Sequence, residues 1–225
     1  MMKVVSVNVG APRIVNWRGG QASTGIFKLP VPGPIVLRKL NFDGDRQADL
    51  SVHGGPDRAA YIYPAEHYEL WKAELDRADL PWGIFGENLT TLGLSEADIR
   101  IGDQIRIGSA VVVATQPRMP CYKLGIRFGD SRMVTRFNAT ERCGIYVGVV
   151  EEGTVAAGDE IEILSRAPDS ISIVELRRFY LAEYDDPAAV RRVLSLPALS
   201  HDWRVQFEER LAAADQAAGK SGAVP

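Results

Sequence analysis

A chain of 225 residues with 46% apolar and 24% charged side chains has the composition of an ordinary globular protein, long enough to bury roughly 70–75% of the surface its unfolded chain exposes. Its 26 basic and 29 acidic residues leave a formal net charge of -3, which argues against bulk binding to nucleic acid or a membrane surface, where a basic patch is needed. Its two cysteines, Cys121 and Cys143, are too few for a disulfide framework or a cysteine-only zinc site.

The opening residues, Met1-Met2-Lys3-Val4-Val5-Ser6-Val7, lack the apolar core and cleavage site of a signal peptide, and no apolar run approaches the ~20 residues that span a bilayer. A cytoplasmic protein with reduced thiols is expected. From Lys3 to about Leu164 the chain reads as mainly β. Short β-branched runs at residues 4–9, 35–40, 99–101, 104–107, 111–113, 144–150 and 160–164 are separated by Gly-Asp and Gly-Ser turn signals, a pattern that predicts a sandwich or barrel. One helix interrupts it. Pro64 suits a first helical turn, and Tyr68, Trp71 and Leu75 recur at helical spacing up to about Ala78, an aromatic stripe read as core packing.

After Ala167-Pro168-Asp169 the character changes. Ser172-Ile173-Val174-Glu175 fits a capping box opening a helix to about Ala182. Asp186-Pro187 supplies an N-cap and a first-turn proline for a second helix, and Ser200 can cap a third whose Trp203, Phe207 and Leu211 share a face. Three such helices bury little alone, so docking on the β unit, on a partner, or on a second copy as a homodimer is expected. Acidic residues among the arginines of this unit argue against a nucleic-acid partner. The tail from about Ala217 is rich in Ala, Gly and Ser and is expected to be disordered.

Four segments carry candidate chemistry. Cys121 lies between Pro117 and Pro120 on one side and Lys123 on the other, with Arg118 close by, in Gln116-Pro117-Arg118-Met119-Pro120-Cys121-Tyr122-Lys123. Nearby cations favour thiolate, the form that acts as nucleophile or soft-metal ligand, and the prolines stiffen the loop. A buried, inert thiol is the alternative that these residues leave open. In His53-Gly54-Gly55-Pro56-Asp57-Arg58, Gly54 and Gly55 let backbone amides approach an anion beside Arg58, or simply form a turn. Glu87 and Asn88, after Gly86, offer an acceptor and an amide for a polar ring edge, or a strand-entry turn. Cys143 precedes an apolar strand and reads as a core residue. GxGxxG, Walker A, HExxH and GxSxG motifs are absent.

In order, GDxQAD, HGGPDRA, YP, EHY, W, FGENL, QPRxPCYKL and GIYV resemble the MOSC domain family, named for the C-terminal domain of molybdenum cofactor sulfurases, in its YiiM-like bacterial subgroup with a C-terminal "3-alpha" unit. The resemblance covers about Lys3 to Leu211. It implies a mainly β fold: a MOSC-type β-barrel with a few peripheral helices over residues 1–167, a three-helix unit over 168–216, and a flexible tail over 217–225. It implies a molybdenum cofactor of the molybdopterin type, with Cys121 as metal ligand. Arg58, the Gly54 and Gly55 amides and Arg118 are then candidates for the cofactor phosphate, Glu87 and Asn88 for the pterin edge. Lys123 is a further cofactor-binding candidate that, with Arg118, favours the thiolate. The catalytic candidates are Cys121 and His53, the latter donating to a metal-bound oxygen or to the phosphate. Pyridoxal phosphate binding is a further attribute of the family. The implied activity is reduction of small N-hydroxylated compounds such as 6-hydroxylaminopurine, a mutagenic base analogue, as detoxification. Two cysteines cannot hold a four-cysteine cluster, so electrons are expected from a separate reductase. The alternative is a sulfur-carrier or cofactor-handling module in which Cys121 carries a persulfide.

Overall fold

The computed structural model of the protein describes residues 1–49, 53–182 and 186–221, with side chains to residue 216. In chain order its strands are β1 (Lys3–Val9), β2 (Arg13–Trp17), β3 (Gly20–Thr24), β4 (Leu29–Pro30), β5 (Ile35–Leu37), β6 (Ala60–Pro64), β7 (Leu89–Leu92), β8 (Gln104–Ile107), β9 (Ala110–Pro117), β10 (Ile145–Glu151), β11 (Gly153–Val155) and β12 (Ile161–Ser165). The helices are α1 (Glu66–Leu75), α2 (Tyr122–Phe128), α3 (Met133–Asn138), α4 (Ile173–Leu181), α5 (Pro187–Leu194) and α6 (His201–Ser221).

Eight strands form one mixed sheet in the order β12-β8-β9-β10-β6-β7-β1-β4, with β6 and β7 parallel and the other neighbours antiparallel. The ladders leave β12 and β4 as the ends, so the sheet is not a closed barrel. It curls far enough for the chain entering β12 to reach β1 through one bridge, Lys3 to Glu160. There Ile161 N donates to Met2 O at 3.0 Å and Val4 N to Asp159 O at 2.9 Å.

The expected strands at 4–9, 104–107 and 111–113 fall within β1, β8 and β9, those at 144–150 and 160–164 begin one residue before β10 and β12, and that at 35–40 is shorter, β5 ending at Leu37. Residues 99–101 carry only an isolated bridge, Arg100 to Ser172, because Asp103 accepts from Arg100 N and turns the chain there. Pro64 ends β6 opposite Thr91 instead of opening a helix, and α1 starts at Glu66. Proline is tolerated at a strand end because the missing donor interrupts no central ladder.

Between β6, α1 and α3 lies an aromatic core of Tyr63, Tyr68, Trp71, Phe85 and Phe137, each fully buried. Trp71 stacks on Phe137 at 6.1 Å and 6°, and its indole N–H donates to Tyr63 Oη at 2.7 Å. Cys143 belongs to this interior. It is 0% exposed, burial pushes its thiol well up, and its carbonyl accepts from Tyr61 Oη at 2.9 Å.

The helical unit follows β12. The capping box is present: Ser172 Oγ accepts from Glu175 N, and Glu175 accepts from Ser172 N at 2.7 Å. Asp186 caps α5 through Ala188 N at 3.0 Å. The third expected cap is different. Ser200 Oγ is buried without a hydrogen-bond partner among the described residues, and Asp57 Oδ2 accepts from His201 N at 2.8 Å. The last helix is thus capped by a side chain from the β unit, with the carboxylate favoured at the positive helix end. It runs to Ser221, past the point where disorder was expected; residues 222–225 lie outside the described residues. Among the described residues no helix is long and apolar enough to cross a membrane.

Candidate functional site

Cys121 sits where β9 hands over to α2. β9 ends at Pro117, residues 118–120 cross to the helix, and Cys121 is the N-cap in extended geometry, its carbonyl accepting from Leu124 N at 2.9 Å. The two prolines suppress a loop signal into which a short helix fits, so the cysteine stands at a helix start and not on an open loop. Its side chain is partly exposed and looks into a cavity of about 250 Å³.

Of the candidates read from the sequence, the structure brings Cys121, His53, Arg58, Arg118 and Lys123 together on that cavity. His53 Nε2 lies 3.9 Å from Cys121 Sγ. Burial, then the positive charges of Lys123, Arg58 and Arg118, lower the imidazole below its ordinary value, so it is neutral at neutral pH. Arg118, 6% exposed, donates to the Phe85 carbonyl and lies 4.8 Å from the Tyr61 ring centroid, which fixes it against the core. Lys123 is 7% exposed and reaches the cavity from the first turn of α2. Arg58 donates to Gly54 O at 3.1 Å and pairs with Asp202 at 2.5 Å.

Gly54 and Gly55 do not line the cavity. Their φ of +86° and +92° serve the tight entry into the turn at Pro56–Arg58, a backbone region that side chains disfavour. Glu87 and Asn88 lie behind the wall. Glu87 is 0% exposed; its Oε1 accepts from Tyr68 Oη, from Gly83 N at 2.8 Å and from Thr90 Oγ1 at 2.9 Å, and burial raises its carboxyl above the ordinary range. Asn88 accepts from Tyr61 N at 3.1 Å and donates to Asp45 at 3.0 Å. Both residues join loop to sheet, and neither presents an edge to the cavity. Gly86, just before them, does line it: at φ +80° a Cβ would come within 2.8 Å of Ile26, so the FGEN loop and the 25–28 loop approach through this glycine.

Residues that the sequence reading did not single out complete the wall. Lys28 and Arg46 add charge, Lys28 paired with buried Asp45. Gln116 is 4% exposed and its Oε1 has no hydrogen-bond partner among the described residues. Its place two residues before Arg118 in the cysteine motif was the available signal. From the helical unit come Tyr180, Asp202, Trp203 and Gln206. Trp203 was expected only on a helix face and nothing local marks the other three; the docking of α6 against the turn at 56–58, with α4 packed on β9, brings them here.

The charge on this cavity suits an anionic ligand, and its single cysteine suits a metal whose other ligands come from elsewhere. No cluster of three His, Cys, Asp or Glu side chains able to hold a bare metal ion exists among the described residues. The MOSC domain model matches residues 49–162, and the YiiM-like, 3-alpha helix domain model matches residues 171–214. The chain is similar to the uncharacterized protein YflK of Bacillus subtilis (strain 168), 43% identical over 207 residues that cover 92% of this chain and 93% of that protein. It is also similar to a protein of Gibberella moniliformis named reductase, 34% identical over 165 residues that cover 71% of this chain and 29% of that protein. The crystal structure of YiiM from Geobacillus stearothermophilus superposes with a TM-score of 0.79 at 33% identity, covering 94% of this chain and all of that one. The chain belongs to the MOSC domain family, in the YiiM-like form that carries a three-helix unit.

Proposed function

We propose that this protein reduces small N-hydroxylated compounds with a molybdenum cofactor of the molybdopterin type, R–NH–OH plus two electrons and two protons giving R–NH2 and water, the electrons coming from a separate reductase. The observation that carries the reading is one soft sulfur, Cys121, on a cavity ringed by Arg46, Arg58, Arg118 and Lys123. The residues fit such a group. A thiolate completes the ligand set of a metal already held by dithiolene sulfurs, the cations suit its phosphate, and buried Gln116 Oε1 lacks the donor that a pterin N–H would supply. In this reading Gln116, and not Glu87 or Asn88, meets the pterin edge. The curled sheet with its Lys3–Glu160 bridge is read as the family's barrel. When bound, the cofactor supplies the two-electron redox chemistry.

The chain's own residues do the rest. Arg118 and Lys123, buried and fixed, hold negative charge near Cys121. His53, neutral at neutral pH and 3.9 Å from the sulfur, is placed to hydrogen-bond there to the thiolate, to a bound oxygen or to the phosphate. The helical unit covers the opposite side and limits water.

The test is expression in a cofactor-competent host, quantification of molybdenum and pterin, and reduction of 6-hydroxylaminopurine with an artificial electron donor. Wild type is expected to hold near-stoichiometric metal and to turn over. Cys121→Ser should lose at least ~100-fold in rate with an unchanged circular dichroism spectrum, the scale of losing a group that acts in the transition state. Wild-type rates in that variant would refute the assignment. A labile sulfur on Cys121 with no molybdenum would favour a sulfur carrier instead.

A further inference from the structure

The two sides of the cavity are chemically unlike. The sheet side carries the cysteine, most of the cations, the Gln116 amide and one ring, Tyr146; the helical side carries two rings, the Gln206 amide and one carboxylate, Asp202. Tyr180, in the last turn of α4, and Trp203, in the first turn of α6, have ring centroids 4.5 Å apart at an interplanar angle of 30°. Trp203 is only 4% exposed and packs on buried Phe207 at 6.1 Å, while Tyr180 is partly exposed. The Tyr180 carbonyl accepts from Arg210 Nη1 at 3.0 Å, which pins the end of α4 to α6. The tyrosine ring is thus backed and held in place where it meets the cavity. Gln206 follows Trp203 by three residues and Asp202 by four, so all three share the helix face turned to the cavity. The Gln206 amide lines the cavity and is partly exposed. The one charge on this wall, Asp202, is neutralised by Arg58.

We propose that the helical wall is the substrate-selecting surface: Tyr180, backed by Trp203, stacks on a flat nitrogen heteroaromatic ring, and the Gln206 amide pairs with that ring's donor–acceptor edge. A neutral ring wall opposite a cationic one separates the two ligands by chemistry. Anionic groups go to the sheet side, and an uncharged planar base goes to the helices. Aromatic stacking is tolerant of base identity, whereas an amide that donates and accepts selects among edges. The proposal rests on the reductase reading for its substrate, but base binding by this wall can be measured without turnover.

The experiment has two arms. In the first, binding of adenine, the amine product of 6-hydroxylaminopurine reduction, is measured by calorimetry and tryptophan fluorescence on the protein as purified, for wild type, Tyr180→Ala, Tyr180→Phe and Gln206→Ala. Adenine should bind wild type and Tyr180→Phe alike and bind Tyr180→Ala on the order of tenfold more weakly, the scale of one base–aromatic stack. In the second, the cofactor-loaded variants are assayed with 6-hydroxylaminopurine and with N-hydroxyurea, which has no ring to stack. Tyr180→Ala and Gln206→Ala should raise KM for the purine with kcat nearly unchanged and leave kcat/KM for N-hydroxyurea at the wild-type value. Equal losses on both compounds, or equal adenine binding by wild type and Tyr180→Ala, would overturn the proposal. Adenine binding that depends on Tyr180 in a protein inactive on every N-hydroxylated compound would uphold the wall and reject the reductase.

Discussion

The sheet-borne wall and the helix-borne wall face the same cavity but differ in what joins them to the rest of the molecule. Arg118, Lys123 and Gln116 are each less than a tenth exposed and belong to β9, α2 and their junction, so the charged wall is part of the hydrophobic interior. The helical wall meets the turn at 56–58 through polar contacts at its edge, Asp57 to His201 and Arg58 to Asp202. Both walls rest on one hydrophobic core, which takes in Trp203 and Phe207 together with the strands, and the helical wall adds a polar clasp at its edge.

Breaking the charged wall should cost the fold most. Arg118→Met leaves the buried Phe85 carbonyl without its donor, and we expect a loss of about 2 kcal/mol, read as a fall of ~4–8 °C in Tm. An unchanged Tm would mean that the guanidinium is held by the cavity and not by the core. The clasp should yield less. Asp57→Ala removes the cap of α6 and should cost about 1 kcal/mol, whereas Ser200→Ala, at the position that looks like the cap, should be neutral because its hydroxyl is without a partner. The reverse order would show that the helical unit caps itself. The smallest effect tests how far the field of the charged wall extends. Lys123 and the arginines lower His53, so Lys123→Met should raise its titration midpoint, followed by ring-proton NMR, though burial, the larger cause, will keep it below ~6.5. The sign for stability follows. Native His53 binds protons less readily than the unfolded residue, so it contributes no penalty above ~6.5 and a growing one as pH falls toward its lowered native value. Lys123→Met should shrink that acid sensitivity.

The features legible in the sequence were those with local causes. The Ser172–Glu175 box and Asp186-Pro187 act within one helical turn, and α4 and α5 begin there. The hairpin of β2 and β3 escaped notice because its residues are largely exposed and show no clean apolar alternation. For the site, residue type was readable and direction was not. Cys121, Arg118 and Lys123 reach the cavity because β9 and α2 meet at its rim. Glu87 and Asn88 carry the same polarity, but their backbone turns them inward, where neighbouring donors satisfy them. Tyr180 and Gln206 depend on a tertiary contact that leaves no mark in their own segments.

The capping of α6 by Asp57 has a consequence for the order of assembly. Asp57 is made early in synthesis and His201 late, and the ring wall does not exist until residue 206 has emerged. At ~5–20 residues per second, the stretch from Ser165 to Gln206 takes seconds to make. Until Gln206 has been made, the charged wall lacks the cover that Tyr180, Trp203 and Gln206 give it in the whole chain.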